Sequence, residues 1–524
     1  MVKINALKLL GILCGSCLWT FCIGEDYGFQ LLFTSINDEL EDAEIRFERK
    51  LPVWLKGTLV RNGFGRFEMG ERHFMHSFDA FAKLSSWRFN GNKTAYFSTK
   101  FIQSSFYNES VATNDIAPYL LFEGVLPPFG SYDKLKALVR GIDNMNVNVY
   151  KFFNEKENIS EYVALNDFWK IYQISPRDLS TRAAIVPQVG EYLLGGQLGF
   201  LDLLSSAHPL PEPGTNNHIT FLSSVSLLPF WSSNAINLIR IKSAHDREVI
   251  ARWDVDRVPY MHSFSVTENY AILFASPFYV NVVRMLQKAE PFECLDWYPD
   301  HKTTVYIVNL KTGELKTMTT VNVFTMHHVN AYERKGKIIV DLSAYPSPEF
   351  VKSLQMKILF DPAKRNAFDA HALLKRFRIN LEKNKINYVD REPKTKIPYT
   401  VNLDMPTINE NYRARRYCFV YGIVLKKDNI NLSHISIVKR DMCRKGRDKA
   451  LFMKYHYPSE AWFVPNPRQK SEDDGVLLVP ILDGVRQKSY LAIINPKTMK
   501  IINRSYLPIV VPFSLHGRFF DEII

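Results

Sequence analysis

The chain has 524 residues, with 66 Lys and Arg against 54 Asp and Glu, for a formal net charge of +12. At 46% hydrophobic and 23% charged residues it reads as globular, and disorder is excluded. No helix-turn-helix, zinc-finger or RNA-binding signature accompanies the basic balance, so nucleic acid is not an expected partner. The densest basic clusters, Arg413-Ala414-Arg415-Arg416 and the stretch from Lys375 to Lys385, are short, mixed with apolar residues, and read as solvated faces.

In chain order, the first predicted element is a leader. Lys3 and Lys8 precede an apolar run from Leu9 to Ile23, and Gly24 gives way to Glu25 and Asp26. This describes a secretory signal peptide over residues 1–24. The run is short for a membrane span, and no later stretch approaches the ~20 apolar residues a span needs. Residues 25–524 are then expected as a single domain in the secretory pathway or outside the cell, or in the cytosol if the leader is not used. Three of the six cysteines lie in the leader, so Cys294, Cys418 and Cys443 remain and at least one is unpaired within the monomer. No disulfide framework or zinc ribbon is expected from them. N-x-S/T sequons begin at Asn92, Asn108, Asn158, Asn431 and Asn503.

The remaining elements are mostly short and β-like. Asn90-Gly91 signals a turn. The apolar stretch from Tyr119 to Phe129 precedes a short basic helix predicted from Asp133 to Arg140. Strands are predicted over Lys302 to Val308, Gly336 to Leu342, Tyr417 to Val424 and Gly475 to Ile481, each rich in Val, Ile, Tyr and Phe. Lys311-Thr312-Gly313 and Asp473-Asp474-Gly475 are turn signals, and Phe368 to Phe377 is a second helical candidate. So many short strands imply an all-β protein of several small sheets in series, which a β-propeller satisfies at this length. Aromatics are abundant (36 Phe, 25 Tyr, 8 Trp), which suits a β core and the lining of a site for an apolar ligand. Met75-His76-Ser77-Phe78 recurs as Met261-His262-Ser263-Phe264, an echo too short to establish duplication.

Four of the 13 histidines sit in apolar or small-residue contexts that resemble strand ends: His208, His262, His327 and His516. Their separations are 54, 65 and 189 residues, close to one, one and three propeller blades. If each lies on an innermost strand, all four face the axis and can share a metal without a local H-x-x-H motif. Imidazole suits Zn, Cu, Fe and Ni. A structural zinc usually takes Cys, and no Cys cluster exists. Four neutral imidazoles leave an octahedral ion two open positions, which suits Fe(II) and O₂.

Motifs around these histidines carry a family resemblance. They are Gly57-Thr58-Leu59-Val60-Arg61-Asn62-Gly63, His76-Ser77-Phe78-Asp79, Met261-His262-Ser263-Phe264 with Thr267-Glu268-Asn269-Tyr270, and His327-His328-Val329-Asn330-Ala331-Tyr332-Glu333. Tyr457-Pro458-Ser459-Glu460, Glu472-Asp473-Asp474-Gly475 and the PFSLHG segment from Pro512 to Gly517 complete the set. From about Phe47 to Phe519 the chain resembles the carotenoid cleavage oxygenases, which include the β-carotene oxygenases and the retinal pigment epithelium isomerohydrolase.

The resemblance implies a seven-bladed β-propeller, capped by loops and short helices over an apolar tunnel. It implies Fe(II) bound by His208, His262, His327 and His516, with His327 preferred to His328 because plant-like members keep only the first histidine of that pair. His76 is not a ligand in this reading. Relatives support three of the ligands with glutamates. Glu460 matches one, while the other two places hold Asp167 and Asp404, each one methylene shorter. Either the backbone moves inward there, a water intervenes, or the ligand is held less firmly. The implied activity is O₂-dependent cleavage of a double bond in a carotenoid or apocarotenoid, for example β-carotene to retinal. No side-chain acid or base is required. Isomerohydrolysis of a retinyl ester, without O₂, and non-catalytic binding of a carotenoid or retinoid by a secreted protein are the alternatives. In relatives the segment matching Tyr119 to Arg140 lies near the tunnel mouth and touches membranes, so here it reads either as such a membrane patch or as an ordinary buried loop, and no protein partner is expected.

Overall fold

In a computed structural model, residues 26–189, 200–226, 233–281, 284, 291–367, 372–391, 403–425 and 435–522 are described. The leader and the sequon at Asn431 lie outside these residues. Alternating apolar residues and turn chemistry produce the main unit, the antiparallel hairpin. Strands Phe81–Asn90 and Thr94–Phe101 are joined through Gly91, and strands Thr303–Asn309 and Leu315–Thr320 through Gly313. Both glycines have positive φ (79° and 74°), and a Cβ on either would lie 2.6 Å from a backbone carbonyl oxygen, so glycine is required twice over.

Among the described residues these hairpins build seven sheets of four to six strands, taken in chain order, and two smaller ones. The predicted strands appear as Thr303–Asn309, Lys337–Tyr345, Phe419–Leu425 and Gly475–Asp483. The first sheet joins distant parts of the chain: strand Ser514–Phe520 pairs antiparallel with strand Lys56–Arg66. Apolar clusters fill the spaces between neighbouring sheets. One combines Ile45, Leu59 and Trp87 with Leu478, Leu491 and Leu507, so residues from both ends of the chain share one core.

Edge strands of several large sheets touch one another. Ser514–Phe520 meets Asn148–Asn154, Ser265–Val266 meets Phe324–Arg334, and the latter meets Asp404–Thr407. The candidate site residues cluster on or beside these edges.

Several expectations need correction. The helical candidate from Phe368 to Phe377 is strand Leu373–Asn380 at its described end, because Phe377 and Ile379 are buried on one face of its sheet and Leu374 on the other. Residues 368–371 lie outside the described set. The basic clusters are not simply solvated faces. Arg376 makes a two-point ion pair with the buried Asp341, and Arg413 pairs with Glu410. Cys418 and Cys443 form a disulfide, and Cys294 is buried outside any disulfide. Asn503 is buried, bonded to the backbone of Arg49, and presents no glycosylation surface, whereas Asn92, Asn108 and Asn158 are exposed.

Candidate metal centre

The four histidines come from four separate places in the chain. His208 occupies the turn between strands Phe200–Ser205 and Leu210–Pro211, where its N–H donates to Ser206 Oγ at 3.0 Å. Ser206 Oγ donates to the His262 carbonyl at 2.7 Å, which ties the loop of His208 to that of His262, just before strand Ser265–Val266. His327 lies on strand Phe324–Arg334 where the register shifts between Thr325 and His328. His516 lies on strand Ser514–Phe520 where the register shifts opposite Arg61 and Gly63. A bulge re-aims a side chain that regular pleating would turn away. In this way His327 faces the cluster while His328 turns to Ser265, 2.7 Å from its Nδ1.

The ligand nitrogens of His208, His262, His327 and His516 all lie within 4.8 Å of one another. The Nε2 atoms of His208 and His262 are 3.0 Å apart, and those of His327 and His516 are 3.2 Å apart. Three far ring nitrogens meet carboxylates: His262 Nδ1 at 2.6 Å from Asp167 Oδ2, His327 Nδ1 at 2.7 Å from Asp404 Oδ1, and His516 Nδ1 at 2.8 Å from Glu460 Oε1. Both aspartates therefore reach their histidines directly, without a bridging water. Among the described residues no carboxylate meets the far nitrogen of His208.

These contacts test whether the residues fit a cation. A carboxylate accepts the Nδ1–H hydrogen bond and so holds the proton on Nδ1, which leaves Nε2 with its lone pair. His327 and His516 then point two lone pairs at each other across 3.2 Å, a repulsive contact unless a positive charge lies between them. Two nitrogens each about 2.1 Å from one ion, at right angles, stand about 3 Å apart. The donor set fits a divalent ion.

The electrostatics agree. Burial and the three neighbouring rings hold the His208 pKa well below its ordinary value, so the ring is neutral. Burial pushes His516 down to about 4, against the pull of Glu460. Burial also acts to lower His327, but Asp404 overrides it and the pKa rises. Burial raises the Asp404 and Glu460 carboxyls, but His327 and Tyr345 beside the first, and His516 and Arg61 beside the second, more than reverse this, so both end below the usual range.

His262, His327 and His516 form part of the wall of a cavity of about 300 Å³. Phe64, Phe78, Phe122, Met326, Leu403 and Phe513 make much of the remaining wall. A smaller cavity of about 70 Å³ lies against His208, His327 and His516, with polar lining from His328, Glu410, Arg413 and Arg518. His76 stands outside the cluster, fully buried, with Nε2 2.9 Å from the Val351 carbonyl. Leu120 and Phe122 are correspondingly not surface residues. Both line the large cavity, and Phe122 packs on His76, Phe78 and Phe292. The apolar exposure of that region lies at Leu126 and, more extensively, on helix Ser131–Arg140, through Tyr132, Leu135 and Val139.

The family model described as "Retinal pigment epithelial membrane protein" (RPE65) matches residues 33–521. The chain belongs to this family of carotenoid oxygenases. Among its relatives, a carotenoid isomerooxygenase of Galleria mellonella is 26% identical over 91% of this chain and 94% of its own. The apocarotenoid-15,15'-oxygenase of Synechocystis is 25% identical over 90% of this chain and 91% of its own. Solved structures of Synechocystis apocarotenoid oxygenase share the fold, with a TM-score of 0.79 at 24% identity, covering 94% of this chain and 99% of theirs. A cobalt-substituted form of that oxygenase matches with a TM-score of 0.78.

Two groups at the site escaped sequence reasoning. Tyr260 Oη donates to Asp167 Oδ2 at 3.1 Å, and Tyr345 Oη donates to Asp404 Oδ2 at 2.5 Å. Tyr260 carried a local signal, since residues two apart in an extended segment share a face and it precedes His262 by two. Tyr345 carried none, because it reaches the site only through the pairing of Phe324 with Tyr345 across a hairpin.

Proposed function

We propose that this chain is an Fe(II)-dependent dioxygenase that cleaves a double bond of a carotenoid or apocarotenoid. The observation that carries this reading is a cluster of four histidines, three of them set into the wall of a largely apolar cavity. The names of its relatives, including carotenoid isomerooxygenase and apocarotenoid-15,15'-oxygenase, point the same way. In the net reaction O₂ adds across one C=C bond, that bond breaks, and each carbon leaves as a carbonyl. No external reductant is consumed. Bound iron would supply relief of the spin restriction that makes O₂ sluggish toward organic molecules. His208, His262, His327 and His516 would hold it, and Asp167, Asp404 and Glu460 would fix three of those rings in one tautomer. The aromatic wall would align an extended polyene so that one bond faces the histidines.

In the same reading the seven large sheets are blades of one propeller domain over residues 25–524. The exposed face of helix Ser131–Arg140 is a membrane contact, suited to taking an apolar substrate from lipid. The Cys418–Cys443 disulfide and the leader-like N-terminus support a secretory location.

The decisive experiment loads Fe(II) anaerobically, then adds a carotenoid and apocarotenoid panel with labelled O₂ and identifies products. Aldehydes carrying the label are expected. Turnover of a retinyl ester without O₂ would replace this reading with isomerohydrolysis. Tight polyene binding without turnover in the iron-loaded protein would replace it with a binding function.

A further inference from the structure

We infer that Tyr260 and Tyr345 are positioning residues of the metal centre, each clamping an aspartate against its histidine from the cavity side. The inference rests on the metal-site reading above and extends it to two residues that contact neither the ligand nitrogens nor an ion.

The two arrangements match. Tyr260 Oη donates to Asp167 Oδ2, the oxygen that lies 2.6 Å from His262 Nδ1. Tyr345 Oη donates to Asp404 Oδ2, while Oδ1 of the same carboxylate lies 2.7 Å from His327 Nδ1. Each tyrosine belongs to the segment of its histidine or to that segment's hairpin partner, and each aspartate comes from elsewhere. Each tyrosine therefore ties the aspartate's loop back to the segment that carries the ligand. Each added donor restricts rotation of a carboxylate about its last carbon–carbon bond: Tyr345 is the second side-chain donor to Asp404, and Tyr260 adds to His262 and to the Ala207 N–H, which donates to Asp167 Oδ1 at 3.1 Å. Glu460 gains the same restraint from Arg61, whose Nη1 donates to Oε2 at 2.7 Å.

The choice of tyrosine follows from location. Tyr260 and Tyr345 both line the large cavity. A charged donor on that wall would carry a heavy desolvation penalty, and a free hydroxyl would be an unsatisfied polar group facing apolar substrate. A phenol that donates its single proton to the aspartate leaves the ring as apolar wall. Tyr345 is further fixed by stacking on Phe350, ring centroids 3.9 Å apart.

The test uses Co(II) as probe on the metal-stripped full chain, with affinity measured against a competing chelator and the visible Co(II) absorption recorded. Tyr260→Phe and Tyr345→Phe should each weaken Co(II) binding by about 10-fold, within the range seen when a ligand's outer partner is lost. In an Asp404→Asn background, Tyr345→Phe should have no further effect, because the phenol acts only through that carboxylate. Single Tyr→Phe variants that bind Co(II) within about twofold of the unaltered chain would overturn the inference. So would a Tyr345→Phe effect that persists with Asp404→Asn. Failure of the unaltered chain to bind Co(II) would instead remove the metal-site reading on which the inference stands.

Discussion

Arg61 and Glu460 form a buried ion pair, 2.7 Å between Nη1 and Oε2, with the Arg61 side chain fully enclosed. The pair joins the Lys56–Arg66 strand to the residue that supports His516. A second Arg61 nitrogen donates to the Leu515 carbonyl at 2.9 Å. Arg61→Leu leaves Glu460 buried with only His516 as partner. Breaking one side of such a pair costs about 3–5 kcal/mol, so the urea midpoint should fall markedly while far-UV circular dichroism stays native.

His262→Ala removes a ligand nitrogen and leaves Asp167 without its imidazole. The variant should lose bound metal after dialysis, measured by elemental analysis. His76→Asn, which alters a buried histidine outside the cluster, should retain it. Metal loss in both would mean that retention reports general loosening of the fold, not ligation.

Acid should destabilise the protein through two histidines outside the metal cluster, His76, which is fully buried, and His218, which is half-buried. Burial lowers His76 to about 4 and His218 to about 3. Each folded pKa lies below the unfolded value of about 6.5. The unfolded chain therefore takes up these protons first, and the stability each neutral ring contributes is lost as pH falls from 6.5 through its folded pKa. Asp79 has the opposite sign. Burial raises it to about 7, so its contribution is present at low pH and lost as pH rises through 7. Two histidines against one aspartate leave a net slope of about 1.4 kcal/mol per pH unit from these three groups, with stability rising between pH 4 and 6.5. Urea unfolding at several pH values measures the slope, and His218→Phe should flatten it.

The Cys418–Cys443 bond closes a loop of sequence separation 25. Cys443→Ser should destabilise the chain by about 3 kcal/mol, read from urea unfolding. Peptide mapping without reductant should recover the two cysteines linked, and recovery of both as free thiols would remove the support for an oxidising compartment.

Helix Ser131–Arg140 exposes Tyr132, Leu135 and Val139 at 78%, 62% and 81%, while Ala137 packs inward. Leu135→Glu with Val139→Glu should abolish co-flotation with phosphatidylcholine vesicles and leave thermal unfolding unchanged. Unaltered flotation would show that this face does not touch lipid.

Much of this architecture is legible in the sequence because β-hairpins announce themselves locally, as at Asn90-Gly91 and Lys311-Thr312-Gly313. The convergence of His208, His262, His327 and His516 could also be anticipated, since their spacing and motif contexts are one-dimensional. What stayed hidden depends on tertiary pairing. Leu120 and Phe122 look like a membrane-facing run until the cavity they line is seen. The segment ending at Phe377 alternates weakly enough to pass for a helix, and only the neighbouring strand decides it. The direct reach of Asp167 and Asp404 depends on how far loops approach, which side-chain length alone does not reveal.

The strand that carries His516 pairs with one that lies more than 400 residues earlier in the chain. During synthesis a ribosome must therefore translate well past Ser514 before the fourth imidazole exists outside its exit tunnel. Until then Lys56–Arg66 has only one of its two antiparallel neighbours, Phe81–Asn90, and Glu460 has no ring to support. A chain cut short upstream of Ser514 therefore lacks both the fourth imidazole and the strand that completes the pairing of Lys56–Arg66.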